Sequence, residues 1–556
     1  MKRAGVPLCI LFLALAAWPV PVRGQYLLWH YDKLIENNAG YDQDVPQIAL
    51  SGSKAVAVWH QYDGVAHHVY VNNSTTGGAT WRSARRLEMT GANMSRWPRA
   101  AISGSLAVAA WIEADTATGW RVWAGRSTDG GTTWKDYQMI QPASGGDVSL
   151  AQPIVCLSGT RVLVAWLQSD SGNRRVYANM SADGGLTWGT AKRIDASGLQ
   201  SVRDFHIALS GTRAVLLLTR NDGSNDHAMA NHSLDGGLTW NSEQALGQYA
   251  GEDAYDLHVA VSGTNAVAVW AEDTLSGRNV CANYSTDGGQ VWHASLSIKD
   301  PAICYANPLP RLALSGNRAV VVWRQELSGG GNPLVWSNSS TDGGANWQGP
   351  HVVESDTGYV PAALDLSLSG ASAVAIWRRP ALSGEHVFAC FSKTGGGTWE
   401  SVRKINGVTG TVPSSSIPHV AISGTKVAAV WQASDGVSFR IVSNSATQTM
   451  VQKYLLLPPV LVSPANGLTG VPLSVTLQWQ DTNFNPQEIK YRIRIKPVGG
   501  AYTLITLPAN SLTYIKSGLK PGKTYQWNIM AVGNGTTILS STWANGGVDW
   551  RFTIQP

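Results

Sequence analysis

IALSGSKAVAVW, Ile48–Trp59, packs a strand, a Ser-Gly turn and a second strand into one short stretch, and it recurs along the chain. The Ser-Gly pairs start at Ser51, Ser103, Ser158, Ser210, Ser262, Ser315, Ser369 and Ser423, which defines eight units. Before each turn, residues alternate with period two: Ile48 and Leu50, Ile207 and Leu209, Val420 and Ile422 share one phase, while Ala49, Ala208 and Ala421 take the other. Period two is the signature of a strand. After the turn come the continuous apolar runs Ala55–Trp59, Ala107–Trp111, Ala266–Trp270, Ala319–Trp323 and Ala373–Trp377. A strand apolar in both phases is buried on both faces, as between stacked sheets.

A third strand, such as Val176–Ser181 or Val280–Ser285, leads through a turn to a fourth, more polar one such as Trp188–Ile194. Four antiparallel strands per unit of about 50 residues is the pattern of a propeller blade. The fold class expected is therefore all-β: an eight-bladed β-propeller over residues 25–455. The eighth unit ends at its third strand, Ile441–Ala446, whereas Trp29–Ile35, ahead of the first unit, matches Trp399–Ile405. The N-terminal strand is expected to complete the eighth blade, close the ring and hide an edge.

Between the third and fourth strands stand STDGGTTW (Ser127–Trp134), SADGGLTW (Ser181–Trp188), SLDGGLTW (Ser233–Trp240), STDGGQVW (Ser285–Trp292) and STDGGANW (Ser340–Trp347), with degenerate copies at Ser74–Trp81 and Ser392–Trp399. The Asp is placed to accept backbone N–H bonds two residues on, the glycines permit positive φ, and the Trp packs the turn onto its blade. Asp129, Asp183, Asp235, Asp287 and Asp342 sit in different units, so their role is read as structural rather than as one carboxylate cluster.

These boxes, at blade spacing, resemble the Asp-box repeats of the sialidase superfamily over residues 26 to about 455. The resemblance implies a propeller with its Asp boxes on the face opposite the active site. It also implies an Arg triad gripping a carboxylate, a Tyr nucleophile paired with a Glu, and an acid/base Asp. The family's first Arg stands in an Arg-Ile-Pro motif of the first unit; here the nearest match is Arg96-Trp97-Pro98 in the second, and the family's enzymes have six blades against eight units. On the active-face connections the resemblance places Tyr249, Tyr255, Tyr305 and Tyr359 with Glu113, Glu252, Glu272 and Glu326, and no spacing singles out one pair.

The ends of the chain add context. Lys2 and Arg3 precede the apolar run Leu8–Trp18, with small residues before Gln25, so residues 1–24 are expected to be a signal peptide and the protein secreted or displayed at the cell surface. No later run is long enough to span a bilayer, so membrane insertion is not expected. Without the leader the formal charge falls from +5 to +2, which gives no electrostatic case for nucleic acid. Cys156, Cys281, Cys304 and Cys390 lack CxxC spacing, so no metal or other cofactor is expected, while Cys281 and Cys304 are candidates for pairing. Past a linker at 456–462, residues 463–556 carry the alternating strands Leu477–Trp479, Tyr491–Ile495 and Trp550–Ile554. Leu519–Trp527 holds the Leu, Pro and Tyr of a tyrosine corner, and the segment resembles fibronectin type III domains, a C-terminal β-sandwich with a spacer or attachment role and glycan binding as its alternative.

One register breaks the apolar rule of the inner strands. Four residues before each Ser stand Gln47, Arg99, Ile154, His206, His258, Arg311, Asp365 and His419, seven of them polar. Solvated strand ends would account for this. The competing reading is a ring near the mouth of a central channel, where Arg and His suit acidic or hydroxyl-rich ligands and Trp97, beside Arg96 and Arg99, offers a stacking face. A metal held by His206, His258 and His419 is a third reading. The function expected is a non-catalytic recognition propeller for glycans or an extracellular protein partner; the alternative is a retaining exo-glycosidase of sialidase type acting on terminal acidic sugars.

Overall fold

The computed structural model describes residues 24–556 except 31, 38–42, 89–93, 116–118, 142–145, 149–151, 197–199, 248–252, 275–276, 302–306, 327–330, 357, 382–383, 407–411, 414–415, 452–453, 456–458, 481–489, 509–510, 533–537, 540 and 542. Each sequence unit forms one antiparallel sheet with its strands in chain order. In the third unit these are Ile154–Ser158, Arg161–Asp170, Asn173–Ser181 and the two-residue strand Lys192–Arg193. Seven sheets have four strands. The eighth is completed from the N-terminus: Lys33 pairs with Ser443 and Leu34 with Val442, and the His30 N–H donates to the Ser445 carbonyl at 2.8 Å. This is the pairing expected from the missing eighth-unit strand.

The second strands form the cores between sheets. Trp59, Trp111, Trp166, Trp270, Trp323, Trp377 and Trp431 are fully buried at one register, with Leu218 in the fourth unit. Each core mixes neighbouring units: Val56 and Val58 pack with Ala107, Ala109 and Trp111, while Ala57 and Trp59 pack with Val430, Ile441 and Ile35. Removing one such Trp side chain costs about 3–5 kcal/mol.

Three kinds of polar or close contact recur between neighbouring sheets. The Gly N–H of one Ser-Gly turn donates to the Ser Oγ of the preceding unit, as from Gly104 to Ser51 at 2.9 Å, and Gly52 donates to Ser423 of the eighth unit at 2.8 Å. A third-strand Asn reaches the preceding unit's outer strand: Asn179 Nδ2 donates to the Ile140 carbonyl at 2.9 Å, and Asn72 donates to that of Ile35 at 2.7 Å. Cys390 stands at this register in the seventh unit, and its thiol donates to the Glu400 carbonyl at 2.8 Å.

The Asp box supplies the third contact. A Cβ on Gly131 would stand 2.7 Å from Val56 Cγ2 of the preceding unit, and one on Gly237 would stand 2.8 Å from Leu163 Cδ1. Gly131 has φ 89° and Gly237 φ 101°, so glycine is required both for space and for backbone conformation. The first-unit box lies on the eighth unit, where a Cβ on Gly78 would be 3.0 Å from that of Ala428. Within the box the carboxylate accepts from N–H groups three and four residues on, not two: Leu238 and Thr239 each donate to Asp235 Oδ1 at 2.9 Å. The Ser also accepts four residues on, with Gly237 N–H donating to Ser233 Oγ at 2.8 Å.

The chain divides into two compact units, Leu27–Gln448 and the remainder with Thr449–Pro556. In the C-terminal unit a three-stranded sheet and a five-stranded sheet enclose one core around Trp479, Tyr491, Trp527 and Phe552. The Lys520 N–H donates to Tyr525 Oη at 3.2 Å, the bond a tyrosine corner requires. Among the described residues, no helix is long and apolar enough to cross a membrane.

Candidate functional site

The eight ring positions are all half-buried, and the structure joins them in register. Inner strands of successive units lie against each other, the first against the eighth included. Gln47 Nε2 meets His419 Nε2 at 2.5 Å, and His419 Nδ1 meets Asp365 Oδ2 at 3.3 Å, which links units one, eight and seven. The rings of His206 and His258 meet tilted by 37° with centroids 4.6 Å apart, linking units four and five. Arg99 Nη2 donates to Gln152 Oε1 of the third unit at 3.0 Å, and Ile154 supplies the apolar member.

Backbone irregularity sets this register apart. Inner strands carry a bulge between Asp44 and Gln47, Arg96 and Arg99, Tyr255 and His258, and Ala362 and Asp365. Two residues before the ring position, Val45, Trp97, Asp256, Leu309 and Ala363 adopt φ of 46–56°. Left-handed backbone at a β-branched or bulky residue costs of order 1–3 kcal/mol and persists only where the surroundings impose it. Bulges re-aim side chains, and here they do so beside Gln47, Arg99, His258 and Asp365, while His206 and His419 stand on regular strand. Sequence reading missed them. Two of them carried a signal in Pro46 and Pro98, five residues before the repeat Ser, because a proline in a strand marks an edge or a bulge, whereas the bulges before His258 and Asp365 carry Leu257 and Leu364 there.

Between units one and two the ring widens into a basic and aromatic cluster. His60 meets Trp97 edge-on at 5.6 Å and His67 edge-on at 5.3 Å, while the Arg96 guanidinium lies 5.5 Å from the Trp120 ring centroid. Burial, then His67, Arg96 and Arg99, lower His60 to about 3, so it is neutral at pH 7. Burial alone lowers Arg99 to about 10, and it remains charged. This is a desolvated cation beside flat rings, suited to an anionic ligand with an apolar face. His60 and His67 carry no repeating signal and were not identified from the sequence.

The sector of units four to six differs. Burial and the Arg311 charge lower His206 to about 4, and burial, Arg311 and His206 lower His258 further. Burial raises the carboxyls of Asp204 and Asp256. Asp204 Oδ2 accepts from the Leu257 N–H at 3.1 Å, and Asp256 Oδ2 is buried without a hydrogen-bond partner.

The structure corrects several expectations. Glu113 and Glu272 are on second strands rather than in connections: Glu113 accepts from the Trp111 indole at 3.0 Å, and Glu272 accepts from the Cys281 thiol at 3.2 Å. Tyr255 donates to Asp273 at 2.8 Å, and burial together with that bond raises its hydroxyl, the reverse of an activated nucleophile. Tyr359 packs beside Arg379 instead of a Glu, and Glu326 is buried. Tyr249, Tyr305, Glu252 and Cys304 lie outside the described residues. His419 is engaged with Gln47 and Asp365, apart from the His206–His258 pair, so the three histidines do not assemble as one ligand set.

A sequence-family model described as a BNR repeat-like domain matches residues 53–222. No curated protein matches. Among solved structures the chain is similar to polysaccharide lyase Uly1, at 10% identity over 62% of this chain and 88% of that one with a TM-score of 0.40. It is similar to a PL25 ulvan lyase at 9% identity over 73% and 94% with a TM-score of 0.42. A sialidase of Trypanosoma rangeli aligns at 11% identity over 92% and 90% with a TM-score of 0.30. The repeats within residues 53–222 are thus BNR-like, and the chemistry rests on the chain's own residues.

Proposed function

We propose that the chain is exported and folds as a closed eight-bladed propeller that binds acidic or hydroxyl-rich glycans at one mouth of its central channel, without cleaving them. Closure is supported by the three inter-unit contacts that recur from the eighth unit to the first: Gly52 to Ser423, Asn72 to Ile35, and the Gly78 approach to Ala428. The observation that carries the binding reading is the half-buried polar register, flanked at five positions by residues at positive φ and joined side chain to side chain from Asp365 through His419 to Gln47 and between His206 and His258. Arg99 and Arg311 would grip carboxylate or sulfate, His419 and Asp365 would serve hydroxyls, and Trp97 would flank a sugar ring. Calorimetry against uronate, sialic acid, sulfated and neutral oligosaccharides, with product analysis of the same mixtures, tests this. Saturable binding of an intact acidic sugar is expected, and failure of all of them to bind contradicts it.

One observation favours the glycosidase alternative. Asp204 and Asp256 are carboxyls raised by burial near Arg311, the environment of an acid able to protonate a leaving group. Release of a reducing sugar, abolished by Asp256→Asn, would establish that alternative and displace the binding-only reading.

A further inference from the structure

The formal charge conceals an asymmetry. Residues 25–448 carry 30 Lys or Arg against 34 Asp or Glu, whereas residues 449–556 carry nine against three, a formal +6. Four of those nine alternate along one strand, Lys490–Pro497: Lys490, Arg492, Arg494 and Lys496 all stand on the partly accessible side, while Tyr491, Ile493 and Ile495 are buried in the core. Successive cations on a strand face are about 7 Å apart, so the row is about 20 Å long.

Among the described residues, the strand neighbours do not neutralise this row. The residues paired with Arg492 are Thr506 and Met530, those with Arg494 are Leu504 and Asn528, and Lys496 pairs with Gln526. Among the described residues, Asp549 is the carboxylate that answers it, accepting from Arg494 Nε at 2.9 Å. Two rings stand on the same cations: Arg494 lies 4.4 Å from the Trp543 centroid, and Lys496 Nζ lies 4.2 Å from that of Tyr502. Like charges aligned on one face disfavour the fold, and a sandwich core gives no reason to require them.

We infer that this sheet face is a docking surface for a linear acidic polysaccharide, lying along the Lys490–Lys496 row. Charge complementarity with a polymer of regularly spaced carboxylates or sulfates carries the inference, and the expected leader favours a polysaccharide over a nucleic acid as the polyanion. It stands independently of the channel-mouth reading. The test is affinity electrophoresis of the full chain in gels containing polygalacturonate, dextran sulfate, neutral dextran or single-stranded DNA. Polygalacturonate or dextran sulfate should retard the wild type and neutral dextran should not. R492E/K496E should weaken that retardation about tenfold or more, while K520E/K523E, the same charge change off the row, keeps most of it. Circular dichroism checks that both variants fold. No retardation by either acidic polymer, equal losses in the two variants, or tighter binding to DNA would each overturn the inference.

Discussion

The two ends of the inner strands obey different rules. At the Ser-Gly end the repeat is regular: the Gly N–H of a turn such as Gly104 or Gly211 donates to the Ser of the preceding unit, the boxes clamp the preceding unit, and the Ser and Asp oxygens of the box are engaged within the motif. At the other end several strands bulge, non-glycine residues are held at positive φ, and His206 and Arg99 are desolvated. Identical geometry repeated around a ring is what joining blades demands. Variation at one register, at a cost in strain, is what a site demands.

Several substitutions would break or sharpen that contrast. The largest effect is expected at the joint between first and last units. Deleting residues 26–37 removes the outer pairing to the eighth sheet, the Ile35 core contact and the acceptor of Asn72, and should abolish cooperative unfolding of the propeller in calorimetry. Ile35→Ala is the milder form, costing about 2–4 kcal/mol in denaturant titration. Next comes Gly237→Ala, which adds a Cβ against Leu163 at positive φ and should cost about 2–3 kcal/mol. Unchanged stability there would remove the box from its clamping role.

The acid response should come from the opposite end. His206, lowered to about 4 by burial and Arg311, and His60, lowered to about 3 by burial and its cationic neighbours, both start from 6.5 in the unfolded chain. Between those values the unfolded chain binds more protons, so stability should fall as pH drops below about 6.5 and continue falling towards 4. In the double variant His60→Gln, His206→Gln this decline should be shallower, read from melting temperature against pH. The box carboxylates act lower: partial burial opposes, but the Thr239 and Ser233 bonds hold Asp235 at about 2, so their stabilisation is lost only below about 3.8. The smallest effect is strain relief, with Val45→Gly expected to raise stability by up to about 1 kcal/mol.

The strict end was legible in the sequence because its rules are periodic. Ser-Gly spacing gave the units, the box gave the turn, and the missing eighth-unit strand gave the pairing of Lys33 and Leu34. The linking Asn72, Asn179, Asn231, Asn283, Asn338 and Asn444 are equally periodic, but a strand polar residue does not announce a partner in another sheet. The variable end was legible only as a column of polar residues. Which neighbours desolvate His60, or turn Glu113 towards an indole, depends on tertiary contacts that no spacing encodes.

The central claim is that one end holds the ring together and the other binds. The most direct test measures both quantities on two variants: calorimetric binding of an acidic oligosaccharide, and melting, for Asp235→Ala and for Arg99→Ala with Arg311→Ala. Asp235→Ala should lose about 1–3 kcal/mol of stability through its orphaned turn amides and keep its affinity. The double Arg variant should lose binding while its melting stays level or rises, since a desolvated guanidinium contributes little to the fold. Binding that survives the loss of both arginines, or that vanishes in Asp235→Ala at unchanged melting, would contradict the account.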